Sequence, residues 1–226
     1  MNPEPLPIPL AIFVKTPGLS PIKTRLAAQR GAAQAEHFHQ LAAACVAESA
    51  LATAGLAPCW AVAETTALAD PRWLGLPALA QGEGDLGARM RCVYERLLQD
   101  HGAALLIGAD LPQVRPADFL AAIAVLRGAS TPWVLGPASD GGFWLVGGRE
   151  PIPAAAWRDT PWSQPNTAAR FAAACGAQQP ARLRVLRDVD EAADLDALAS
   201  ELTAATAARP AQAALRDWLR TTGASG

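Results

Sequence analysis

The chain has 226 residues, 51% of them hydrophobic, with 19 Lys and Arg against 21 Asp and Glu and a formal net charge of −2. It can bury one substantial core and is too apolar for a disordered protein. The near balance of charge gives no electrostatic basis for binding nucleic acid or an anionic membrane, so a phosphate site has to be built locally from a few groups.

Pro9–Val14, "PLAIFV", reads as a buried strand. The loop "KTPGLSPI" follows, and helical patterning runs from Lys23 to about Ala54, broken at Gly31 and stopped at Gly55. Ala57–Glu64 reads as a second strand, and a proline-bearing connector leads to "QGEGDLGARM". There Asp85 is suited to cap a helix continuing through "ARMRCVYERLLQDHG". Ala103–Asp110, "AALLIGAD", is the clearest strand, and "PADFLAAIAVLRG" a helix with Pro116 in its first turn. "TPWVLGPA" and "FWLVGG" are strands on either side of Asp140-Gly141-Gly142, a strong hairpin signal. A helix around "NTAARFAAACG", a late strand "RLRVLRDVD" and helices at "EAADLDALASEL" and "AQAALRDWLRT" complete the reading.

Strands alternating with helices predict an α/β fold: a three-layer α/β/α sandwich on a mostly parallel mixed sheet, with an antiparallel insertion near Asp140. No linker divides the chain, so one domain over 1–226 is expected, with its core over about 9–202 and a last helix at about 210–221. Cys45, Cys59, Cys92 and Cys175 lie at no metal-ligand spacing and read as reduced thiols. With no basic leader or long apolar stretch at the N-terminus, a cytoplasmic protein is expected.

Ligands of open α/β sheets bind beyond the carboxyl ends of the strands, so the residues after each apolar run carry the most information. Lys15, Lys23 and Arg25 follow the first strand and suit a di- or triphosphate near a helix start. Asp110 ends the fourth apolar run: it either binds Mg²⁺ or caps the turn before Pro112. Asp140 sits with Gly141 and Gly142 and either shares that metal or orients an acceptor. Gly82, Gly84 and Gly87 around Asp85 suit a flat base packed on bare backbone. Trp144 and Trp162 are candidates for an acceptor pocket with Gly141 and Gly142, although core packing accounts for most of the seven tryptophans. His37 and His39 point to different faces of one helix, and a solvated helix accounts for them better than a metal site. Asp188 and Asp190 read as a turn before an acid-rich helix start, with a second metal contact as the lesser reading.

In order, "FVKTPGLSPIKTRLA", "QGEGDLGARM", "IGADLP", "LGPASDGGFWLVGG" and "RDVDEAADLDAL" resemble the radical-SAM/selenodomain-associated transferases, also labelled arsenosugar-biosynthesis glycosyltransferases. The set is more distantly similar to 2-phospholactate guanylyltransferase and the molybdenum-cofactor nucleotidyltransferases. The resemblance implies the nucleotide-diphospho-sugar transferase (glycosyltransferase-A) fold. It also implies nucleotide phosphates at Lys15, Lys23 and Arg25, a metal, Mg²⁺ or Mn²⁺, at Asp110, and the base near Gly82 to Gly87. Two departures stand out. Ala109-Asp110-Leu111 replaces the Asp-x-Asp common in such glycosyltransferases, and "KTPGLSPIKTR" replaces the richer glycine loop of nucleotidyltransferases.

The expected function is metal-dependent transfer from a nucleotide-activated donor to a small-molecule acceptor, with Asp110, Asp140 and Lys23 as the catalytic set. Glycosyl transfer, nucleotidyl transfer with release of pyrophosphate, and a non-catalytic nucleotide-binding regulatory role all remain open at this level. No nucleic-acid or membrane partner is expected, and the sequence does not set an oligomeric state.

Overall fold

A computed structural model describes residues 6–204 and 209–222; the two ends of the expected 1–226 unit lie outside the described residues. A seven-stranded sheet runs in the order β3-β2-β1-β4-β6-β5-β7. Its strands are β1 Ile8–Val14, β2 Leu56–Val62, β3 Ala78–Ala80, β4 Ala104–Gly108, β5 Trp133–Pro137, β6 Phe143–Gly148 and β7 Ala181–Arg182. β6 runs antiparallel to both neighbours, β4 and β5, and the other pairings are parallel. The sheet is therefore mixed and mostly parallel, as the sequence pattern predicts.

The period of two along each strand assigns the faces. Leu10, Ile12, Leu105 and Ile107 point to one side, where they meet α2 (Ala32–Leu51) and α4 (Pro116–Arg127) through Val46, Ala50, Phe119 and Ile123. Ala11, Ala61, Leu106 and Val146 point to the other. They meet α3 (Leu86–His101), α5 (Ala154–Arg158) and α6 (Thr167–Ala174) through Val93, Tyr94, Trp157 and Phe171. Each fully buried Leu, Ile or Phe contributes about 1.5–3 kcal/mol of transfer free energy. A third cluster joins α1 (Thr24–Arg30) and the outer side of α2 to α7 (Ala192–Ala204) and α8 (Pro210–Thr221) through Leu26, Phe38, Leu195, Leu198 and Leu215. The expected α/β/α sandwich is the observed architecture.

Three features differ from the sequence reading. The late strand is ordered into the sheet only at β7 and at one bridge, Ala138 to Leu186. The register of β5 shifts between Gly136 and Pro137, and the Trp144 indole donates to Arg184 O at 3.0 Å, so the ladder breaks where a longer strand would have continued. β3 and α5 are too short, at three and five residues, to show a periodicity. Cys45, Cys59 and Cys175 are buried free thiols, and Cys92 is exposed. Among the described residues no helix is long and apolar enough to cross a membrane.

Candidate active site

At the carboxyl ends of β1, β4 and β3 lies a cavity of about 760 Å³, bordered also by the β5–β6 hairpin and by the chain before α7. Lys15, Lys23, Arg25, Gly84, Asp110, Asp140, Gly142, Trp144 and Trp162 all line it. His39, Gln81, Arg89, Asp188 and Asp190 line it as well. Residues separated by more than 160 positions in the chain thus share one rim.

The loop Lys15–Lys23 is fixed from behind. Glu64 Oε2 accepts from Thr16 N at 2.8 Å, the Trp73 indole donates to Thr16 Oγ1 at 3.1 Å, and Arg72 Nη1 donates to Pro17 O at 2.9 Å. Burial works against the Glu64 carboxylate, but hydrogen bonds from Ser20 and Thr16 outweigh it and hold its pKa below the ordinary value. Lys23 ends the loop in a left-handed backbone conformation, φ 45°, which is uncommon for a residue with a side chain. That turn sends its side chain, only 7% exposed, inward between two carboxylates: Nζ lies 2.8 Å from Asp110 Oδ2 and 2.8 Å from Asp190 Oδ1. Burial lowers the Lys23 pKa, but the two carboxylates raise it more, so the ammonium stays charged well above neutral pH. Asp110 is the mirror case: burial raises its pKa, while the Lys23 charge and a contact with His39 hold it well below the usual carboxylate range.

His39 corrects the sequence reading. It is 5% exposed, not solvated, with Nδ1 3.4 Å from Asp110 Oδ1 and Nε2 3.1 Å from Lys15 O. His37, on the other face, lies beside Trp218. Lys15 Nζ spans the loop to Pro21 O at 3.0 Å, and Arg25, with a side chain 65% exposed, lies 3.8 Å from Asp190.

Asp140 lies both in the hairpin turn and on the rim of the cavity. The hairpin closes with Ala138 N on Gly142 O at 2.9 Å, and Asp140 Oδ1 accepts from Gly142 N at 2.8 Å. The same side chain borders the cavity and raises the pKa of Asp188. Burial first, then the charges of Asp110 and Asp140, push the Asp188 carboxyl up to about 7, with Lys23 acting in the opposite direction. Asp188 Oδ1 is buried and has no hydrogen-bond partner among the described residues. An orphaned carboxylate oxygen among acids suits a hard cation that binds oxygen ligands. Among the described residues no three His, Cys, Asp or Glu are gathered so as to hold a metal ion, so a cation here has one or two carboxylate ligands. That donor set fits Mg²⁺, which keeps several waters and takes few carboxylates.

The glycine-rich segment divides. Gly84, φ +97°, borders the cavity. Asp85 caps α3, accepting from Ala88 N at 2.8 Å. Gly82 and Gly87 do not line the cavity: a Cβ on Gly82 would meet Cys92 Sγ at 3.1 Å, and one on Gly87 would lie 2.3 Å from Trp157 O. Both serve the packing of α3. Gly141 likewise lies outside the cavity lining and gives room to Pro165. Trp162 lines the cavity beside Phe143, with ring centroids 6.0 Å apart, whereas the Trp144 indole belongs to the core. The sequence reading took His39 as solvated, did not single out Gln81 or Arg89, and gave Asp188 and Asp190 a metal contact only as the lesser reading; all five line the cavity. The available signals were the Asp-x-Asp after the late apolar run and the Gln preceding the glycines.

The fold is an α/β fold shared with solved structures described as nucleotide-diphospho-sugar transferase-like. The crystal structure of a protein provisionally described as a nucleotide-diphospho-sugar transferase, from Desulfovibrio desulfuricans G20, superimposes with a TM-score of 0.81 over 95% of each chain at 21% identity. A 4-diphosphocytidyl-2C-methyl-D-erythritol synthase from Anaerococcus prevotii DSM 20548 gives 0.57 over 95% of this chain and 96% of its own at 8% identity. A CMP:2-keto-3-deoxy-manno-octonic acid synthetase in complex with CTP gives 0.53 over 85% and 96% at 14% identity. At these identities the likeness is one of fold. No curated protein matches the sequence. The chain belongs to the family described as "Uncharacterized protein conserved in bacteria (DUF2064)", whose pattern matches residues 32–164.

Proposed function

We propose that the protein is a divalent-metal-dependent transferase acting on a nucleotide-activated donor, with glycosyl transfer from a nucleotide-diphospho-sugar to a small acceptor as the first reading. The observation that carries it is the single cavity shared by Lys15, Lys23, Arg25, Asp110, Asp140 and Asp188. It lies where open α/β sheets take their ligands, and the motif order resembles the radical-SAM/selenodomain-associated transferases.

Asp110 and Asp188 are the carboxylates that would hold Mg²⁺ or Mn²⁺, with water and phosphate oxygens as its other ligands. When bound, such an ion offsets the charge of the departing diphosphate. Lys15, Lys23 and Arg25 supply cationic donors for the phosphate oxygens, each a charge-assisted bond. Gly142 N engages Asp140 Oδ1 and leaves Oδ2 to the acceptor. Oδ2 accepts the acceptor's hydroxyl proton as its oxygen bonds to the anomeric carbon. The bond from that carbon to the diphosphate breaks, and the nucleoside diphosphate leaves with the electron pair.

One observation favours a second reading, nucleotidyl transfer. Arg25 is mostly exposed and only loosely held by Asp190, so it offers a cation to a third phosphate. In that version an acceptor phosphate attacks the α-phosphate and pyrophosphate leaves. Incubation with radiolabelled nucleoside triphosphates and nucleotide sugars separates the two: nucleoside diphosphate is expected, and pyrophosphate identifies the second reading. Neither product from any donor, with acceptors of several classes, would refute the enzyme.

A further inference from the structure

His39 lines the cavity and plays no part in the chemistry above. It stands on α2 between Phe38 and Ala42, both fully buried, and is itself 5% exposed. Its ring spans the ends of two paired strands: Lys15 follows β1 directly, and Asp110 lies two residues beyond β4. Nε2 is 3.1 Å from Lys15 O. A carbonyl oxygen only accepts, so Nε2 carries the hydrogen, and in the neutral ring Nδ1 keeps its lone pair. Nδ1 faces Asp110 Oδ1 at 3.4 Å, and a carboxylate oxygen also only accepts. Two lone pairs are thus turned toward each other.

That is the relation of two ligands to one cation. Ligands sharing an ion stand about 3.0–3.4 Å apart when the metal bonds are roughly 2.1 Å and the angle between them runs from square to tetrahedral. A metal-binding histidine also donates its other ring N–H to a carbonyl or carboxylate, which fixes its tautomer and orientation, and Lys15 O takes that part here. Asp110 is divided to match. Lys23 Nζ holds Oδ2 at 2.8 Å, and among the described residues His39 is the polar side chain at Oδ1. The Asp110 side chain keeps 32% of its surface exposed on the cavity that both residues line.

We propose that His39 Nδ1 is a metal ligand paired with Asp110 Oδ1, and that this nitrogen–oxygen pair selects a divalent transition ion such as Mn²⁺ over Mg²⁺. The inference rests on the reading of a metal at Asp110, and of the two carboxylates offered to the ion above it needs only that one. Water and phosphate oxygens complete the set, since among the described residues no three such side chains are gathered. Imidazole nitrogen suits transition ions, whereas Mg²⁺ takes oxygen ligands. Sequence spacing carries no trace of the pair, whose members lie 71 positions apart.

The test is pulsed electron paramagnetic resonance on the full-length protein labelled with ¹⁵N-histidine, with Mn²⁺ alone as the probe. A coupling between Mn²⁺ and histidine nitrogen is expected in the wild type. It should persist when the two exposed histidines are removed together, His37→Gln with His101→Gln, and vanish in His39→Gln, whose amide can still donate to Lys15 O. In titrations Mn²⁺ should bind the wild type at least about 10-fold tighter than Mg²⁺, and at least about 10-fold tighter than it binds His39→Gln. Bound Mn²⁺ without histidine coupling, or coupling that survives in folded His39→Gln, overturns this inference and leaves a metal at Asp110 standing. No binding of Mn²⁺ by the wild type overturns both. Should His39→Gln fail to fold, the double variant decides, because His39 is then the one histidine in the chain: retained coupling supports the pair, and lost coupling contradicts it.

Discussion

Lys23 is the residue on which the site closes. A buried ammonium between two carboxylates is strongly coupled to them, and removing it leaves Asp110 and Asp190 facing each other with only the exposed Arg25 as a nearby cation. Lys23→Met is expected to lower stability by on the order of 2 kcal/mol in denaturant unfolding, and to weaken nucleotide binding by about 1–3 kcal/mol. Unchanged values in both measurements would remove Lys23 from the site. Asp188 makes the opposite pH statement. Its folded-state pKa is raised from 3.8 to about 7, so below about pH 4 it is protonated folded and unfolded alike and has no effect. Between about pH 4 and 7 the folded state holds a proton that the unfolded state has released, and metal-free stability falls as pH rises through that window. Solvent screening reduces the size to on the order of 2 kcal/mol. Thermal melts from pH 4 to 8 without metal should show this decline in the wild type and lose it in Asp188→Asn. Asp110 and Asp140 were legible because each stands at or just beyond an apolar run, and Lys23 because it is a cation at a helix start, where the dipole disfavours it. His39, Asp188, Asp190 and Gln81 were not, since the role of each depends on a partner elsewhere in the fold: Lys23 meets Asp190 across 167 positions.

At the scale of elements, the β5–β6 hairpin and the chain before α6 form one unit. Gly141, φ +89°, passes so close to Pro165 that a Cβ would lie 1.8 Å from its carbonyl oxygen, and Gly141 O accepts from Ala168 N at 2.9 Å. The Asp-Gly-Gly turn therefore anchors the segment that carries Trp162 to the hairpin that carries Asp140. Gly141→Ala should lower stability by about 3 kcal/mol, a fall in Tm of about 6–12 °C, because the left-handed backbone and the Pro165 contact are both lost. A Tm within one degree of the wild type would show that the two segments are not coupled. The hairpin and the four central strands were legible from apolar runs bounded by glycine and proline. The late strand was legible but read too long: a bulge at Gly136/Pro137 and the Trp144 indole interrupt its ladder, and both are tertiary events.

For the whole molecule, the three layers bring Lys15, Lys23, Arg25, Asp110, Asp140 and Trp162 to one cavity at the carboxyl ends of the strands. The sandwich was readable from the alternation of elements. The outer layer of α7 and α8 on α2 was not, since α8 gives an amphipathic pattern without an address. A ligand seated across β1, β4 and the hairpin joins segments from both halves of the chain and should stabilise the fold cooperatively. At a concentration 100 times its Kd, a nucleotide with Mg²⁺ is expected to add about 2.7 kcal/mol, raising Tm by about 5–11 °C in thermal-shift measurements.

The most direct measurement is calorimetric titration of nucleoside diphosphates into wild-type protein and folded Asp110→Asn, each with and without Mg²⁺. Binding should require the ion in the wild type and weaken by at least about 100-fold in the variant, the loss expected when a charged hydrogen-bonding partner is removed. Equal affinity in all four titrations would contradict a metal-assisted nucleotide site at Asp110.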